Sequence, residues 1–478
     1  MQGSNVAAAR KAQKRYAAEA LSIAMRLALT IFAACVLYSC RAAVPEHSVL
    51  TRENSAGQKP VLLLLSVDGL MPRHVLQAHA SGAALPNLLA MVADGAYAAG
   101  VRTVVPSLTY PAHTTILTGV SPSIHGITSN IKFDPLGSNL SGWYWYADDI
   151  RAPTLWSLAR QAHLVTANVC WPVSVNATVD FNFVQFWRAA LPDDEKLYGA
   201  LSSPNLVNEF REHVGPIPFG DDFTLEADDM RVRFTEYLIA EKHPALVTAY
   251  LGSLDAVQHL TGPNSLATRQ YLEHLDADIG ALRLTIEASA PGRSIFAVVS
   301  DHGFIEYDTE IELGSLFRDR QLLQVDADTR VTSWLAFPWV AGGTAAIILK
   351  HPSDSSSRQS VERLIEDLQK NPDFGVLKVY RDREILALSG FANSDYVLAL
   401  KPGFKFGRNL VGPTIVRHSG GTHGYLPDLD GMDAAFFAVG RGIPRGHNFG
   451  RIDMRDIAPT LAHLLTLPLK GAEGHSLL

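Results

Sequence analysis

Cysteine is scarce in this sequence: three residues in 478, at Cys35, Cys40 and Cys170. Two of them fall within the first forty positions. A chain trimmed there keeps Cys170 and at most a modified Cys40, which leaves no internal disulfide to brace the fold. The scarcity is neutral on export, and Cys170, on an apolar stretch, reads as a small core residue. An excess of positive charge is missing too. Lys and Arg number 41 against 48 Asp and Glu, a net charge of -7. That gives no electrostatic footprint for a nucleic-acid polymer, while small anions can still bind locally. No internal repeat or low-complexity tract is visible, and 47% hydrophobic with 19% charged residues is the composition of a globular protein. The length suits one large α/β domain with an inserted subdomain, or two domains.

The N-terminus also lacks a run long enough to span a bilayer. Arg10, Lys11, Lys14, Arg15 and Arg26 precede an uncharged, mostly apolar run of thirteen residues over 27–39. That length fits the apolar core of a secretory signal. A start at Met25 would leave Arg26 as the whole basic region. Leu37, Tyr38, Ser39 and Cys40 look like a bacterial lipobox, with Tyr38 bulkier than that motif prefers. Simple cleavage, lipidation of Cys40 and an uncleaved apolar anchor stay open. All three imply an exported protein, periplasmic or membrane-attached and facing outward. Residues 1–40 read as this signal, 41–59 as a polar linker, and 60–478 as the folded domain. Asn139 with Ser141, and Asn176 with Thr178, form glycosylation acceptor patterns that matter only in a eukaryotic host.

The fold begins abruptly. Val61–Val67 is apolar except for Ser66 and ends at Asp68 and Gly69, which predicts a strand buried on both faces, as in a parallel sheet. Helical patterning follows at 86–93, and 100–105 reads as the next strand. Further apolar runs at 246–251, 294–299 and 434–439 alternate with helix-like segments, which predicts a doubly wound α/β sandwich with a mostly parallel sheet. Between 333 and 420 the pattern shifts to short strands, a polar helix near 360–370 and Gly/Pro turns, an expected inserted α+β subdomain. The tail over 453–465 looks like a closing helix.

Asp68, Asp255 and the pair Asp301 and His302 each lie at or just beyond the end of an apolar strand, the edge where open α/β sheets bind ligands. Asp255 and His259, four apart, share one face if a helix begins there. Asp301 and His302 precede Gly303, a turn that can aim both side chains at one ion. His423, between Gly421 and Gly424 on either side of Thr422, offers another nitrogen on a flexible loop. Three carboxylates and three imidazoles with no thiolate suit Zn²⁺ best, with Mn²⁺ and similar ions as alternatives. Each pair alone is weak, since a lone Asp is most often a turn or cap residue. Their recurrence at strand ends, with a hydroxyl cluster alongside, changes the balance.

That cluster runs over 106–115: Pro106, Ser107, Leu108, Thr109, Tyr110, Pro111, Ala112, His113, Thr114, Thr115. Pro111 suits a first helical turn, which puts Thr109 just before a helix N-terminus, where free amides and the dipole favour an anion. Spacing alone leaves Thr109, Ser107, Thr114 and Thr115 as candidates, and capping is the ordinary role of a helix-start Thr.

The segments SVDG at 66–69, LTYPAHTTILTG at 108–119, YLGSLDAVQH at 250–259, SDHGF at 300–304 and GTHGY at 421–425 resemble, in order, the signature of the nucleotide pyrophosphatase/phosphodiesterase family of the alkaline phosphatase superfamily. The ordered match spans about 360 residues. Pro122, His125 and Gly126, Asn130 with Asp134 and Pro135, Pro153 with Trp156, and Trp171 with Pro172 extend it. The resemblance implies an alkaline phosphatase-like three-layer sandwich with a smaller inserted subdomain, and two Zn²⁺ per chain. One would be held by Asp68, Thr109, Asp301 and His302, the other by Asp255, His259 and His423. It implies Thr109 as nucleophile, activated by metal coordination, and Asn130 as a donor to a nonbridging phosphate oxygen alongside the Thr109 amide. The implied mechanism is a double displacement through phosphothreonine. Ala112 stands where animal members usually have Asn, and Val173 where Gly is common; both bear on substrate preference. His113 and His125 read as packed structural histidines.

A monoester carries one more negative charge than a diester, and related bacterial monoesterases place a Lys and Arg pair near the segment that here runs over 168–178. That segment contains neither residue, which favours diesters or pyrophosphates of the nucleotide kind. Tyr110 either stacks on a planar substrate group or simply packs. The main alternative is a phosphomonoesterase or phosphonate hydrolase of the same superfamily. A phosphoethanolamine-type transferase should have several membrane helices, a sulfatase needs Cys or Ser at position 109, and a noncatalytic relative usually loses ligands.

Overall fold

A computed structural model describes residues 59–139, 142–186, 193–217, 223–391 and 393–478. The signal at 1–40 with Cys35 and Cys40, nearly all of the linker at 41–59, and Ser141 of one glycosylation pattern lie outside the described residues. Among the described residues no helix is long and apolar enough to cross a membrane.

Strand β1 (Val61–Val67) is followed by helix α1 (Pro86–Asp94), which opens on a proline whose missing N–H would have had no helical acceptor, and by β2 (Ala96–Tyr97). Helix α2 (Thr109–Thr118), β3 (Thr166–Val169) and β4 (Phe181–Phe183) come next. Then follow α3 (Leu225–Lys242), β5 (Leu246–Leu251), α4 (Ser253–Thr261), α5 (Leu266–Ser289) and β6 (Ser294–Val299).

A smaller antiparallel region comes after β7 (Ile305–Glu312). Strands β8 (Ala336–Ala341) and β9 (Thr344–Leu349), helix α6 (Ser355–Lys370), and strands β10 (Val376–Arg381) and β11 (Tyr396–Leu400) form a sheet in the order β8-β9-β11-β10. Val361, Leu364, Ile365 and Leu368 of α6 pack with Ile347 and Leu398 in a separate core. Strands β12 (Gly403–Gly407) and β13 (Ile415–Thr422) flank β7, parallel and antiparallel to it. The chain closes with β14 (Phe436–Gly440), β15 (His447–Asn448) and α7 (Ile457–Leu464).

The main sheet has eight strands in the order β15-β2-β14-β6-β1-β5-β3-β4. β1 runs parallel to β5 and β6, and β3 parallel to β5 and β4. β14 runs antiparallel to both of its neighbours, β6 and β2. The expected strand at 100–105 shortens to Gly100–Arg102 and pairs with Arg451–Asp453 in a separate two-stranded ladder. Periodicity marks a strand without saying which sheet takes it.

Alternate β1 residues serve opposite faces. Leu63, Leu65 and Val67 meet Leu88 and Met91 of α1, Phe234 of α3 and Leu275 of α5, whereas Leu62 and Leu64 meet Ile116 and Leu117 of α2 and Leu461 of α7. Helices therefore cover both faces of the sheet, giving a three-layer α/β sandwich. Since Leu64 is fully buried, Leu64→Ala should destabilise the protein by about 2–5 kcal/mol in urea denaturation.

Candidate functional site

Parallel register sends three adjacent strands out at one edge: Val67 of β1 is level with Leu251 of β5, and Ser66 with Val299 of β6. Asp68 follows β1 directly, Asp301 and His302 follow β6 after Ser300, and Asp255 sits in the first turn of α4, just past β5. The structure thus gathers at the C-terminal edge side chains that lie far apart in sequence.

At this edge two groups of candidate ligand atoms form, each with its atoms within 4.8 Å of one another: Asp68, Asp301 and His302, and Asp255, His302 and His423; a third and more exposed group among the described residues is Asp229, His274 and Asp278. His302 Nε2 is 3.1 Å from Asp301 Oδ2 and 3.5 Å from Asp68 Oδ1. His259 Nε2 is 3.5 Å from Asp255 Oδ2, and His423 Nε2 is 3.8 Å from Asp255 Oδ1. The rings of His302 and His423 stack with centroids 3.7 Å apart. His302, which the family resemblance assigns to the Asp68 group, here lies between the two groups, and His259 joins through Asp255.

The tautomers are set by backbone carbonyls, which can only accept. His259 Nδ1 donates to Gly421 O and His423 Nδ1 to Ser107 O, each at 3.0 Å. Both rings therefore present Nε2 as a lone pair toward Asp255, the arrangement that orients metal-ligating histidines. Burial pushes the His302 and His423 imidazoles well below their usual range and keeps them neutral. Burial, with the Asp301 and Asp255 charges added, pushes the Asp68 carboxyl well above its usual range, and burial with Asp301 does the same to Asp255.

Asp68 Oδ1, Asp255 Oδ1, Asp301 Oδ2 and both His302 nitrogens are buried without a hydrogen-bond partner. Buried polar atoms are rarely left so. Neutral imidazoles beside crowded carboxylates are a donor set that divalent cations satisfy, so the residues fit a metal centre.

Thr109 is the first residue of α2, whose N-cap position, Leu108, offers no capping side chain. Of the four candidate hydroxyls, Ser107 donates to Tyr425 O, Thr114 donates to Tyr110 O, and Thr115 bonds His125 Nε2. Thr109 Oγ1 alone has no partner among the described residues. His113 fixes this helix start: its Nδ1 donates to Thr109 O at 2.7 Å, and its Nε2 is 2.8 Å from Ser66 Oγ on β1. The same Nδ1 lies 3.7 Å from Asp301 Oδ2. On the other side, Ser107 O accepts from Gly424 N as well as from His423. Gly424 has φ +80°, and a Cβ there would lie 1.5 Å from Ala341 O, so only glycine permits this join.

Asn130 is half-buried. Its Oδ1 accepts from Tyr110 N at 2.8 Å, which leaves Nδ2 uncommitted among the described residues. Tyr110 packs: fully buried, its ring meets Trp143 edge-on at 5.2 Å and its hydroxyl donates to Gln185 at 2.5 Å. His125 is also buried. Sequence reasoning passed over Tyr250, whose hydroxyl donates to Asp68 Oδ2 at 2.6 Å. Its signal was a polar tip near the end of a strand that is apolar apart from Thr248.

The family model for type I phosphodiesterase / nucleotide pyrophosphatase matches residues 62–426. The human ectonucleotide pyrophosphatase/phosphodiesterase family member 1 is 25% identical over 454 residues, covering 90% of this chain and 43% of that protein. An uncharacterized pyrophosphatase/phosphodiesterase of Schizosaccharomyces pombe is 23% identical, covering 86% of this chain and 78% of its own length. This chain therefore spans less than half of the human relative. Among solved structures, human ectonucleotide pyrophosphatase/phosphodiesterase 5 aligns with TM-score 0.62 at 18% identity, covering 87% of this chain and 97% of that one. Its murine counterpart, an inactive Thr-to-Ala variant in complex with AMP, aligns with TM-score 0.62 at 19% identity over the same shares.

If Nε2 of His259 is a ligand, His259→Ala should lower bound metal relative to the unaltered protein, measured by atomic emission after dialysis. Unchanged metal content would remove His259 from the ligand set.

Proposed function

The chain belongs to the type I phosphodiesterase / nucleotide pyrophosphatase family, and from that premise we propose that it hydrolyses phosphodiester or pyrophosphate bonds with two divalent ions, zinc first among them. Asp68, Asp301 and His302 with Thr109 would hold one ion, and Asp255, His259 and His423 the other. The observation carrying this reading is the uncommitted Thr109 hydroxyl at a helix start, tied through His113 and Ser107 to two groups of buried, unpartnered ligand atoms. When bound, the ions supply Lewis-acid stabilisation of charge on the oxygens around phosphorus.

The rest falls to the chain. Thr109 Oγ1 attacks phosphorus as the bond to the leaving oxygen breaks, giving a phosphothreonine ester, and the hydroxyl proton departs with the leaving group. Water then attacks the same phosphorus, the bond to Thr109 breaks, and the hydroxyl is restored. Asn130 Nδ2 donates to a nonbridging oxygen, held in that sense by the Tyr110 amide on Oδ1. The Thr109 N–H in the first turn of α2 lacks a helical acceptor and adds a second donor at the positive end of the dipole.

Nucleotides lead the substrate class, supported by the names of the relatives and by AMP in the murine neighbour. The lack of Lys and Arg over 168–178 supports a diester over a monoester. Stacking of Tyr110 on a base would require its ring to leave Trp143 and is not part of the proposal. Export to the periplasm or outer face, with attachment through a lipidated Cys40 or the N-terminal apolar segment, belongs to the proposal on sequence pattern alone.

Hydrolysis of bis-p-nitrophenyl phosphate beside p-nitrophenyl phosphate, with and without zinc, tests the reaction class. A zinc-dependent preference for the diester is expected, and preference for the monoester would overturn it. Thr109→Ala should keep fold and metal content while turnover drops on the order of 10³-fold or more; ordinary turnover would remove Thr109 from the nucleophile role.

A further inference from the structure

Helix α4 carries Asp255 and His259, yet its N-cap is Gly252, a residue with no side chain to cap it. The cap comes from another helix. Asp228 of α3, fully buried, accepts hydrogen bonds from the backbone N–H of Gly252 at 3.0 Å and of Ser253 at 2.8 Å. One turn on, Arg231 donates from Nη1 to Asp228 Oδ1 at 2.7 Å, with 2% of its side chain exposed. The Arg231 guanidinium also lies over the Tyr250 ring, 5.7 Å from its centroid, and the Tyr250 hydroxyl donates to Asp68 Oδ2. One buried ion pair therefore reaches both ligand groups: Asp255 and His259 through the start of α4, and Asp68 through Tyr250.

A buried ion pair is weak evidence for stability, since desolvation offsets much of its attraction. Its placement here argues for a different role. Metal ligands tolerate errors of only about 0.2 Å. Asp255 and His259 both ride on α4, so a small slide or rotation of that helix start moves both relative to Asp68. Gly252 contributes from the same point: a Cβ there would lie 2.9 Å from the Phe223 ring and 3.0 Å from the Tyr250 hydroxyl, the group that holds Asp68.

We propose that Asp228 and Arg231 are positioning residues that hold the two ligand groups in register by fixing the start of α4 against Tyr250. The inference rests on the metal-centre reading above. Asn at 228 keeps the shape of Asp but offers one acceptor oxygen, so either the Ser253 amide, or the Gly252 amide together with the Arg231 contact to Asp228, is given up. Lys at 231 keeps the charge beside Asp228 but lacks the planar group that covers Tyr250.

The test compares Asp228→Asn and Arg231→Lys with the unaltered protein by zinc affinity in chelator competition, by the visible absorption of the Co²⁺-loaded protein, and by thermal unfolding. Zinc affinity should fall about 10- to 100-fold, as when partners behind metal ligands are removed, and the Co²⁺ bands should shift. Normal zinc binding in the unaltered protein, with the same affinity and Co²⁺ spectrum in both variants, would overturn the positioning role even if the melting temperature drops. Absence of zinc binding in the unaltered protein would overturn the metal-centre reading and this inference with it. If Asp228→Asn does not fold, Arg231→Lys decides on the same two readouts.

Discussion

Asp68, Asp255 and Asp301 are brought to one buried edge of the sheet, and Asp301 makes ionisation of the other two harder than burial alone does. Much of the local structure answers that crowding. Asp68 receives the Tyr250 hydroxyl, Asp301 receives the Gly69 amide at 3.1 Å, and the imidazoles of His302 and His423 stay neutral. None of these cancels the charge. A divalent cation would turn the repulsion into the affinity of the site. Without one, the carboxylates are held in place by the hydrophobic packing of β1, β5 and β6, so the sheet core and the site are one design problem.

The strands that carry the site were legible because burial on both faces writes itself as a continuous apolar run, and Val61–Val67, Leu246–Leu251 and Ser294–Val299 are such runs. The parallel direction of these strands was legible as well, whereas the exceptions to it and sheet membership were not. The antiparallel β14 and the side ladder at Gly100–Arg102 look, residue by residue, like any other strand of the alternation. The family resemblance supplied candidate ligand positions but not the place of His302 between both groups, because ring placement depends on packing against His423.

The hydroxyl cluster shows the same boundary from the other side. Four hydroxyls at 107, 109, 114 and 115 were equivalent by composition, and hydrogen bonding distinguishes them, since three are committed to Tyr425, Tyr110 and His125. Thr114 and Thr115, inside the helix, spend their hydroxyls on partners in their own neighbourhood. Tyr250 and Asp228 were harder still to see: each acts on an element distant in sequence, and no local pattern encodes a contact made across the core. Asn130 was available only through the resemblance, and its engaged Oδ1 gives the physical reason its amide nitrogen points elsewhere.

The seam between Ser107 and Gly424 has a consequence in time. Synthesis delivers Asp68 and Ser107 early, yet Ser107 O must wait for His423 and Gly424 to find its two donors. Contacts of such long sequence separation form late and slowly. The loop that carries His423 and Gly424 is therefore among the last parts of the site to be made and joined, 316 residues after Ser107.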